Sequence, residues 1–251
     1  MQRRILGFLC LACVKKNSAI ILAAGKGTRM GGEEGKVFVP LLGKPLVAWT
    51  LLVFESSPEI QEIILVVPPG QENDCRKKIL FPYNISKAKI VSGGAERQDS
   101  LWNGFVKIHA PCNVVVIHDG ARPLLDRETL KKALDAAEHD GASVVAVPIK
   151  DTIKIGDEKK MVIKTLDRNF LWAAQTPQVY QYPIIKEALK KAKEDAFYST
   201  DDSSLVERIN VPVRIIPGSY ENIKITTPDD VIFGETILRR RLKKQPIGTE
   251  K

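Results

Sequence analysis

Short apolar runs alternate along this chain with amphipathic segments of helical length. The apolar runs are rich in β-branched residues and predict strands over residues 18–24, 62–67, 89–92, 114–118, 143–148, 213–217 and 222–226. Apolar positions with a period near 3.6 predict helices over residues 45–55, 96–109, 126–139 and 183–194. This alternation is typical of an α/β domain whose mostly parallel, twisted sheet is covered on both faces. Ligands of such sheets bind beyond the carboxyl ends of the strands.

Residues 150–170 break this rhythm, because apolar and polar positions alternate there on either side of residues 156–160. This pattern predicts a protruding β-hairpin. Four apolar side chains would then form a stripe that a lone hairpin cannot bury: Ile153, Ile155, Val162 and Leu166. The natural cover for the stripe is a second subunit, so the hairpin predicts a dimerisation arm.

The chain has 251 residues, of which 44% are hydrophobic and 27% are charged. These values are ordinary for a globular protein, and one large domain is compatible with the length. The net charge of +8 is concentrated in the tails, since residues 1–18 carry +4 and residues 239–251 carry +5, which leaves −1 for the body. A body without a basic stripe argues against a nucleic-acid partner. We interpret residues 239–251 as a solvated, frayed basic tail.

The amino-terminal segment 1–17 has a basic start and an apolar run that is too short to span a bilayer as a helix. It is open to three interpretations: a signal-like segment, an extension, or a wrong start codon. Cys10 and Cys13 in this segment have no second pair or histidine at zinc spacing, so we expect no metal there. Unpaired cysteines favour a reducing compartment, and we expect a cytoplasmic protein with no membrane partner.

The first predicted strand ends in Gly25 and Gly27, and two cations follow at Arg29 and Lys36. Glycines let a backbone approach a ligand closely, and exposed N–H groups beside cations suit a polyphosphate. The loop matches neither the dinucleotide fingerprint nor the P-loop, because Met30 takes the place of a glycine in both. Taken alone, the loop fits a nucleotide site and an ordinary strand–turn about equally.

Further candidates follow other predicted strands on the same rim. Asp119 is suited to hold Mg²⁺ together with substrate phosphates, or to cap the turn before Pro123. Its neighbour His118 fits a hydrogen-bonded core residue better than an acid or base. Lys224 interrupts an apolar alternation, and an inward-facing lysine needs an anionic partner.

Eight blocks stand in order over about residues 18–238: LAAGKGTRM at 22–30 with Lys36, GGAERQDS at 93–100, HDGARP at 118–123, DTIK at 151–154, LDRNFLW at 166–172, QTPQ at 175–178, TDDSS at 200–204 and NIKIT at 222–226. Together they resemble the 2-C-methyl-D-erythritol 4-phosphate cytidylyltransferase family. The resemblance implies a single Rossmann-like nucleotidyltransferase domain over residues 18–238. It also implies a homodimer joined through the 150–170 arm, and a Mg²⁺-dependent reaction of CTP with methylerythritol phosphate that releases pyrophosphate.

The same resemblance implies roles for individual residues. Those that match the catalytic groups of the family are Arg29, Lys36, Arg168 and Lys224. Those that match the CTP site are Ala23, Ala24, Gly25, Gly27, Lys36, Gly93, Gly94 and Ser100. Those that match the site of the second substrate are Asp119, Thr152, Arg168, Thr200 and Lys224, with Asp119 also on the metal. Thr152 and Arg168 would serve the site of the neighbouring subunit. Judged singly, Arg168 and the threonines fit turn or cap positions better.

Two other functions remain open on the sequence. A ribitol 5-phosphate cytidylyltransferase would share the nucleotide half, although residues 167–172 and 200–206 look more like the methylerythritol enzymes. A non-catalytic, nucleotide-binding regulatory domain would have the same fold, but it would not need the whole set of cations. A dehydrogenase that uses NAD is the weakest alternative, because the third fingerprint glycine is absent.

Overall fold

The computed structural model describes residues 16–25 and 38–244. Its strands are β1 Asn17–Leu22, β2 Pro40–Leu41, β3 Lys44–Pro45, β4 Glu62–Val67, β5 Ala88–Ser92, β6 Val114–Asp119, β7 Ala142–Pro148, β8 Lys154–Gly156, β9 Val162–Thr165, β10 Trp172–Gln181 and β11 Arg214–Pro217. Its α-helices are α1 Leu46–Glu55, α2 Glu72–Cys75, α3 Arg97–Phe105, α4 Arg127–Asp140, α5 Tyr182–Glu194, α6 Ser203–Glu207 and α7 Pro228–Lys244, and a π-helical turn, Arg76–Leu80, follows α2.

Seven of the described strands form one central sheet in the order β11-β7-β10-β6-β1-β4-β5. All neighbours are parallel except β10, which runs antiparallel to both β6 and β7. The central strands are buried on both faces, so they consist of nearly continuous apolar runs. The prediction of a mostly parallel α/β sheet is therefore confirmed.

Successive side chains of each central strand enter opposite layers of the core, as the pleat requires. In β1, Ala19 and Ile21 pack in one layer with α1 and α4, whereas Ile20 packs in the other with α3, α5 and α6. A third, smaller cluster joins α7 to the start of α1 and to the segment after β6. Among the described residues, no helix is long and apolar enough to cross a bilayer.

Most predicted elements are confirmed within a few residues, including the caps of α4. Asp126 accepts a hydrogen bond from the Thr129 amide at 2.7 Å, and Gly141 ends the helix with φ of 93°. The strand predicted over residues 222–226 is wrong, because this segment joins no sheet. Among the described residues, only its Ile225 amide makes a backbone hydrogen bond to a distant segment, donating to the Ala121 carbonyl at 2.8 Å.

The hairpin predicted over residues 150–170 is confirmed as the antiparallel pair β8–β9. Ile155, Val162 and Ile163 are exposed, with 43%, 63% and 65% of their surfaces accessible, whereas Ile153 and Leu166 of the predicted stripe are half-buried. The second subunit that would cover them stays a prediction.

The frayed tail predicted from residue 239 is wrong for residues 239–244, because α7 continues to Lys244. Arg241 holds this helix to the body: its Nε donates to Glu221 Oε2 and its NH1 donates to the Leu124 carbonyl, at 2.9 and 2.8 Å. The interpretations of residues 1–15 and 245–251 lie outside the described residues.

Candidate active site

A cleft of about 630 Å³ opens at the carboxyl ends of β1, β4, β5 and β6, where the sheet rule places a ligand. This volume suits a nucleotide-sized molecule. Its walls divide into a small-residue side that follows β1 and β5 and a charged side that follows β6. The lining residues used below are Ala23, Ala24, Gly25, Gly94, Arg97, Ser100, Asp119 and Lys224.

The small-residue side is packed too tightly to accept larger side chains. A Cβ built on Gly93 would lie 2.4 Å from the Ala24 Cβ and 2.9 Å from the Ser100 Oγ. Ser100 in turn accepts a hydrogen bond from the Gly94 amide at 3.0 Å. Since Gly93 and Gly94 follow β5 and Ala24 follows β1, the ends of these two strands meet here. These residues therefore lie together at one rim of the sheet, and their role in binding CTP stays a prediction.

The charged side is organised around Asp119, the last residue of β6 and only 7% exposed. Its Oδ2 lies 2.8 Å from the Lys224 Nζ and 3.7 Å from the Arg122 Nε, and its Oδ1 lies 3.6 Å from the Arg97 NH2. Burial alone would raise the pKa of Asp119, but the charges of Lys224, Arg97 and Arg122 outweigh it and lower that pKa to about 2. The anionic partner that the sequence demanded for Lys224 is therefore Asp119.

A buried hydrogen-bond chain fixes the backbone of Asp119. The Asp119 amide donates to Thr176 Oγ1 at 3.1 Å, and that hydroxyl lies 2.9 Å from His118 Nδ1. The other ring nitrogen, Nε2, lies 3.0 Å from the Arg122 carbonyl, which can only accept, so Nε2 carries the proton and Nδ1 accepts from Thr176. Burial lowers the pKa of His118 to about 4, and the ring stays neutral. His118 is thus the hydrogen-bonded core residue that the sequence predicted.

Lys224 lies in the irregular segment 222–226. This segment contacts the loop after β6 through its backbone, and it contacts β10 through the Asn222 side chain. The Asn222 Nδ2 donates to Gln175 Oε1 and to the Thr176 carbonyl, at 3.0 and 2.9 Å. The Asn222 carbonyl accepts from the Arg122 NH1 at 2.8 Å. The segment therefore binds both β10 and the loop after β6, and this places the lysine over Asp119 although no strand forms there.

Sequence reasoning assigned no role to Arg97, Arg122 or Asp202. Arg97 makes two hydrogen bonds to the 2% exposed Asp202, NH1–Oδ1 at 2.5 Å and NH2–Oδ2 at 2.7 Å. Burial opposes the charge of Arg97, yet Asp202 and Asp119 outweigh it and raise the pKa of the guanidinium. Arg97 lies in the block GGAERQDS and Arg122 lies in the block HDGARP. Their positions close to the glycines and to Asp119 in these blocks could have indicated that both arginines lie near the site.

Other predicted site residues lie elsewhere. Arg168 and Thr152 are exposed on the arm, and the Arg168 NH1 donates to the Lys150 carbonyl at 2.9 Å. Neither lines the cleft of this chain, and neither does the exposed Thr200. Gly25 lines the cleft but has no atom within 4 Å of a built Cβ, so the described neighbours do not require glycine there. The remaining predicted residues lie outside the described part of the chain: Gly27, Arg29 and Lys36.

No group of three or more histidine, cysteine, aspartate or glutamate side chains suited to a metal occurs within residues 16–25 and 38–244. Asp119 is a single ionised carboxylate at the rim of the cleft. Such a donor fits a magnesium ion that takes its other ligands from substrate phosphates and water. It does not fit a cation that needs a complete protein cage.

Comparisons with known proteins identify the family that this chain matches. The family model described as IspD, 2-C-methyl-D-erythritol 4-phosphate cytidylyltransferase, matches residues 18–240. The enzyme of that name from Alkaliphilus metalliredigens is 46% identical over 232 residues, which cover 92% of this chain and 96% of the relative. The one from Caldanaerobacter subterraneus is 44% identical over 224 residues, or 89% of this chain and 99% of the relative.

Solved structures show the same likeness. The crystal structure of 4-diphosphocytidyl-2C-methyl-D-erythritol synthase from Anaerococcus prevotii superimposes with a TM-score of 0.81 at 34% identity, covering 90% of this chain and 97% of that one. The crystal structure of 2-C-methyl-D-erythritol 4-phosphate cytidylyltransferase from Thermus thermophilus gives a TM-score of 0.74 at 29% identity, covering 90% and 99%.

Proposed function

This chain belongs to the 2-C-methyl-D-erythritol 4-phosphate cytidylyltransferase family, and we propose that its rim cleft is the place where it transfers the cytidylyl group. The reaction joins CTP to methylerythritol phosphate in the methylerythritol phosphate pathway of isoprenoid synthesis. This membership decides among the functions left open by the sequence in favour of the methylerythritol enzyme. One observation carries the assignment of the site: the buried Asp119, paired with the exposed amine of Lys224, faces a wall of Ala24, Gly94 and Ser100 across a single cleft.

The small-residue wall is the proposed nucleotide half. This wall is lined by Ala23, Ala24, Gly25 and Gly94, whose small side chains let a flat base and ribose approach the backbone that follows β1 and β5, while Gly93 is buried beside Ala24. Arg29 and Lys36 are proposed to hold the triphosphate and to stabilise the charge that develops as pyrophosphate leaves. That role rests on their match to the family blocks.

The charged wall is the proposed acceptor half. A phosphate oxygen of methylerythritol phosphate attacks the α-phosphorus of CTP, a new P–O bond forms, and the bond to the β-phosphate oxygen breaks in line. No covalent enzyme intermediate is needed, so positioning and charge stabilisation supply the catalysis. Lys224 binds the attacking phosphate, and Asp119 holds the amine of Lys224 at the mouth of the cleft. Thr200, exposed two residues before Asp202, is proposed to bind the acceptor as the family blocks imply.

Mg²⁺ is proposed to bind at Asp119, where it would neutralise charge on the substrate phosphates. Asp119 is a carboxylate that lines the cleft and is ionised at neutral pH.

A homodimer is proposed to complete the site. The arm exposes Ile155, Val162 and Ile163, and it carries Arg168 and Thr152 away from the cleft of its own chain. Covering the apolar side chains with a second copy would bring the arm of one protomer to the cleft of the other. A cytoplasmic location is also proposed, supported by Cys75 and Cys112, which are free thiols.

The test is release of pyrophosphate from CTP with methylerythritol phosphate, by wild type and by Lys224→Met. We expect kcat/KM for the acceptor to fall by roughly 10²–10³-fold, on the scale of one lost preorganised donor. The KM for CTP should change by less than about threefold. The matched control is Lys186→Met, on the exposed face of α5, which should behave as wild type. A Lys224→Met enzyme with normal acceptor kinetics contradicts the assignment of the acceptor half.

A further inference from the structure

Asp202 occupies a helix-capping position but does not cap the helix. It is the N-cap of α6, where an aspartate usually accepts a hydrogen bond from one of the first amides. Its side chain makes no such bond, and the Ser203 amide donates instead to Gln178 Oε1 at 3.0 Å. The side-chain carboxamide of Gln178 thus accepts from the first amide of α6, and the carboxylate of Asp202 is left available for another contact.

That other contact is Arg97, which lies 105 positions earlier in the chain and begins α3. Both carboxylate oxygens of Asp202 bind both terminal nitrogens of the guanidinium, at 2.5 and 2.7 Å. A two-bond fork fixes the plane of a guanidinium as well as its position. Asp202 is buried and does not line the cleft, whereas Arg97 does.

Arg97 is also a potential competitor for Asp119. Its NH2 lies 3.6 Å from Asp119 Oδ1, beyond hydrogen-bonding distance, while the Lys224 Nζ binds Asp119 Oδ2 at 2.8 Å. A guanidinium released from Asp202 would find Asp119 as its nearest carboxylate and could form a two-bond fork with it. Asp119 would then be drawn away from Lys224.

We infer that Asp202 is a positioning residue for cytidylyl transfer, which holds Arg97 off Asp119 so that the Asp119–Lys224 pair stays directed at the acceptor phosphate. This role rests on the proposed acceptor half of the site. It makes a carboxylate outside the cleft necessary for the use of methylerythritol phosphate and much less necessary for the binding of CTP.

The experiment compares Asp202→Asn with wild type in steady-state assays that vary each substrate separately. We expect kcat/KM for methylerythritol phosphate to fall by at least roughly tenfold, while the KM for CTP stays within about threefold. Asp195→Asn is the matched control, because Asp195 also pairs with an arginine, Arg208, at 2.9 Å but on the exposed surface. It should leave both substrates unaffected.

A second variant, Arg97→Lys, guards against a folding defect in the first. Lysine keeps the positive charge but cannot form the fork, so the same selective loss for the acceptor is expected, with melting temperatures measured for every variant. Equal losses for both substrates, or normal kinetics in both variants, would overturn the positioning role. If Lys224→Met is impaired and Asp202→Asn is not, the acceptor half stands and this inference fails; if neither is impaired, the assignment of the acceptor half fails as well.

Discussion

Asp119 and His118 are neighbours in the sequence, and their surroundings push their pKa values in a way that removes both from acid–base chemistry. With a pKa of about 2, Asp119 is an anion throughout the neutral pH range. With a pKa of about 4, His118 is neutral over the same range. The attacking phosphate already carries an anionic oxygen and needs no general base. At this site the residues therefore act by placing charge, and proton transfer has no assigned donor or acceptor.

Gly93 gives the sharpest prediction at the scale of a single residue. In Gly93→Ala the new methyl would lie 2.4 Å from the Ala24 Cβ, and neither backbone can yield cheaply. We expect the two strand ends to be forced apart, with a loss of about 1–3 kcal/mol in the free energy of unfolding. The KM for CTP should rise by roughly tenfold, because the nucleotide wall is displaced.

The same variant supplies its own control. The KM for methylerythritol phosphate should stay close to the wild-type value, since Asp119 and Lys224 lie on the opposite wall. An unchanged KM for CTP in a folded Gly93→Ala enzyme would remove Gly93 from the nucleotide half.

At the scale of elements, Glu62 joins the amino ends of three strands on the edge of the sheet away from the cleft. Its carboxylate accepts from the Ser18 hydroxyl at the start of β1 and from Lys89 in β5, at 2.9 and 3.0 Å. It also lies 2.6 Å from His109 Nδ1, shortly before β6. Burial alone would raise the pKa of Glu62, but these partners outweigh it and lower that pKa from 4.5 to about 2.

Acid sensitivity follows from that pKa. The unfolded chain protonates Glu62 near pH 4.5 and the folded chain only near pH 2, so its stabilisation is complete above pH 4.5 and is lost as the pH falls to about 2. For Glu62→Gln we expect a loss of up to about 3 kcal/mol at pH 7, shrinking through that window. Urea unfolding between pH 7 and pH 2.5 measures it, with the exposed Glu187→Gln as control. If the difference in the free energy of unfolding between wild type and Glu62→Gln stays constant with pH, the lowered pKa of Glu62 is contradicted.

The sequence predicted the parallel strands well because strands that are buried on both faces consist of nearly continuous apolar residues. It missed β10 for a physical reason: the middle of that strand carries the buried polar residues Gln175, Thr176 and Gln178 together with Pro177. The register shifts between Ala174 and Gln178, and this irregularity accommodates a proline inside a sheet. These polar side chains have partners in distant segments, so their burial was not visible locally.

The candidate site could likewise be predicted only in part. Residues that follow strands directly, such as Gly93 and Asp119, could be placed on one rim by the topology alone. The pair Arg97–Asp202 could not, since it depends on how α3 and the segment before α6 come together. Lys224 was placed correctly for the wrong reason, because its supposed strand is an irregular segment held by Asn222.

At the scale of the whole molecule, the arm predicts assembly. In Val162→Asp a charge replaces a side chain that is 63% exposed in the single chain, so folding should be unaffected. We expect the variant to become monomeric in sedimentation or light-scattering measurements, and kcat/KM to fall by roughly 10²-fold or more because Arg168 no longer reaches a neighbouring cleft. As a control, the charge reversal Glu187→Lys at an exposed position outside the arm should leave a dimer.

Mixing two inactive variants tests whether the site is shared. Lys224→Met is defective in the cleft and Arg168→Met is defective in the arm, so a mixed dimer would contain one site with both defects and one with neither. Random reassortment of equal amounts should restore roughly a quarter of the wild-type activity. No recovery after subunit exchange would place Arg168 and Lys224 in the same protomer's site.

The arm leaves the sheet after β7 and returns to it at β10, so every chain folds its own sheet around a segment that we propose to contact another copy. On the proposed dimer, a newly synthesised chain is folded and stable but inert until it meets a second one. Its specific activity then depends on its own abundance: at concentrations below the dissociation constant of the dimer, the rate grows with the square of the enzyme concentration. The cell would obtain isoprenoid precursors only after the enzyme has passed a threshold of expression.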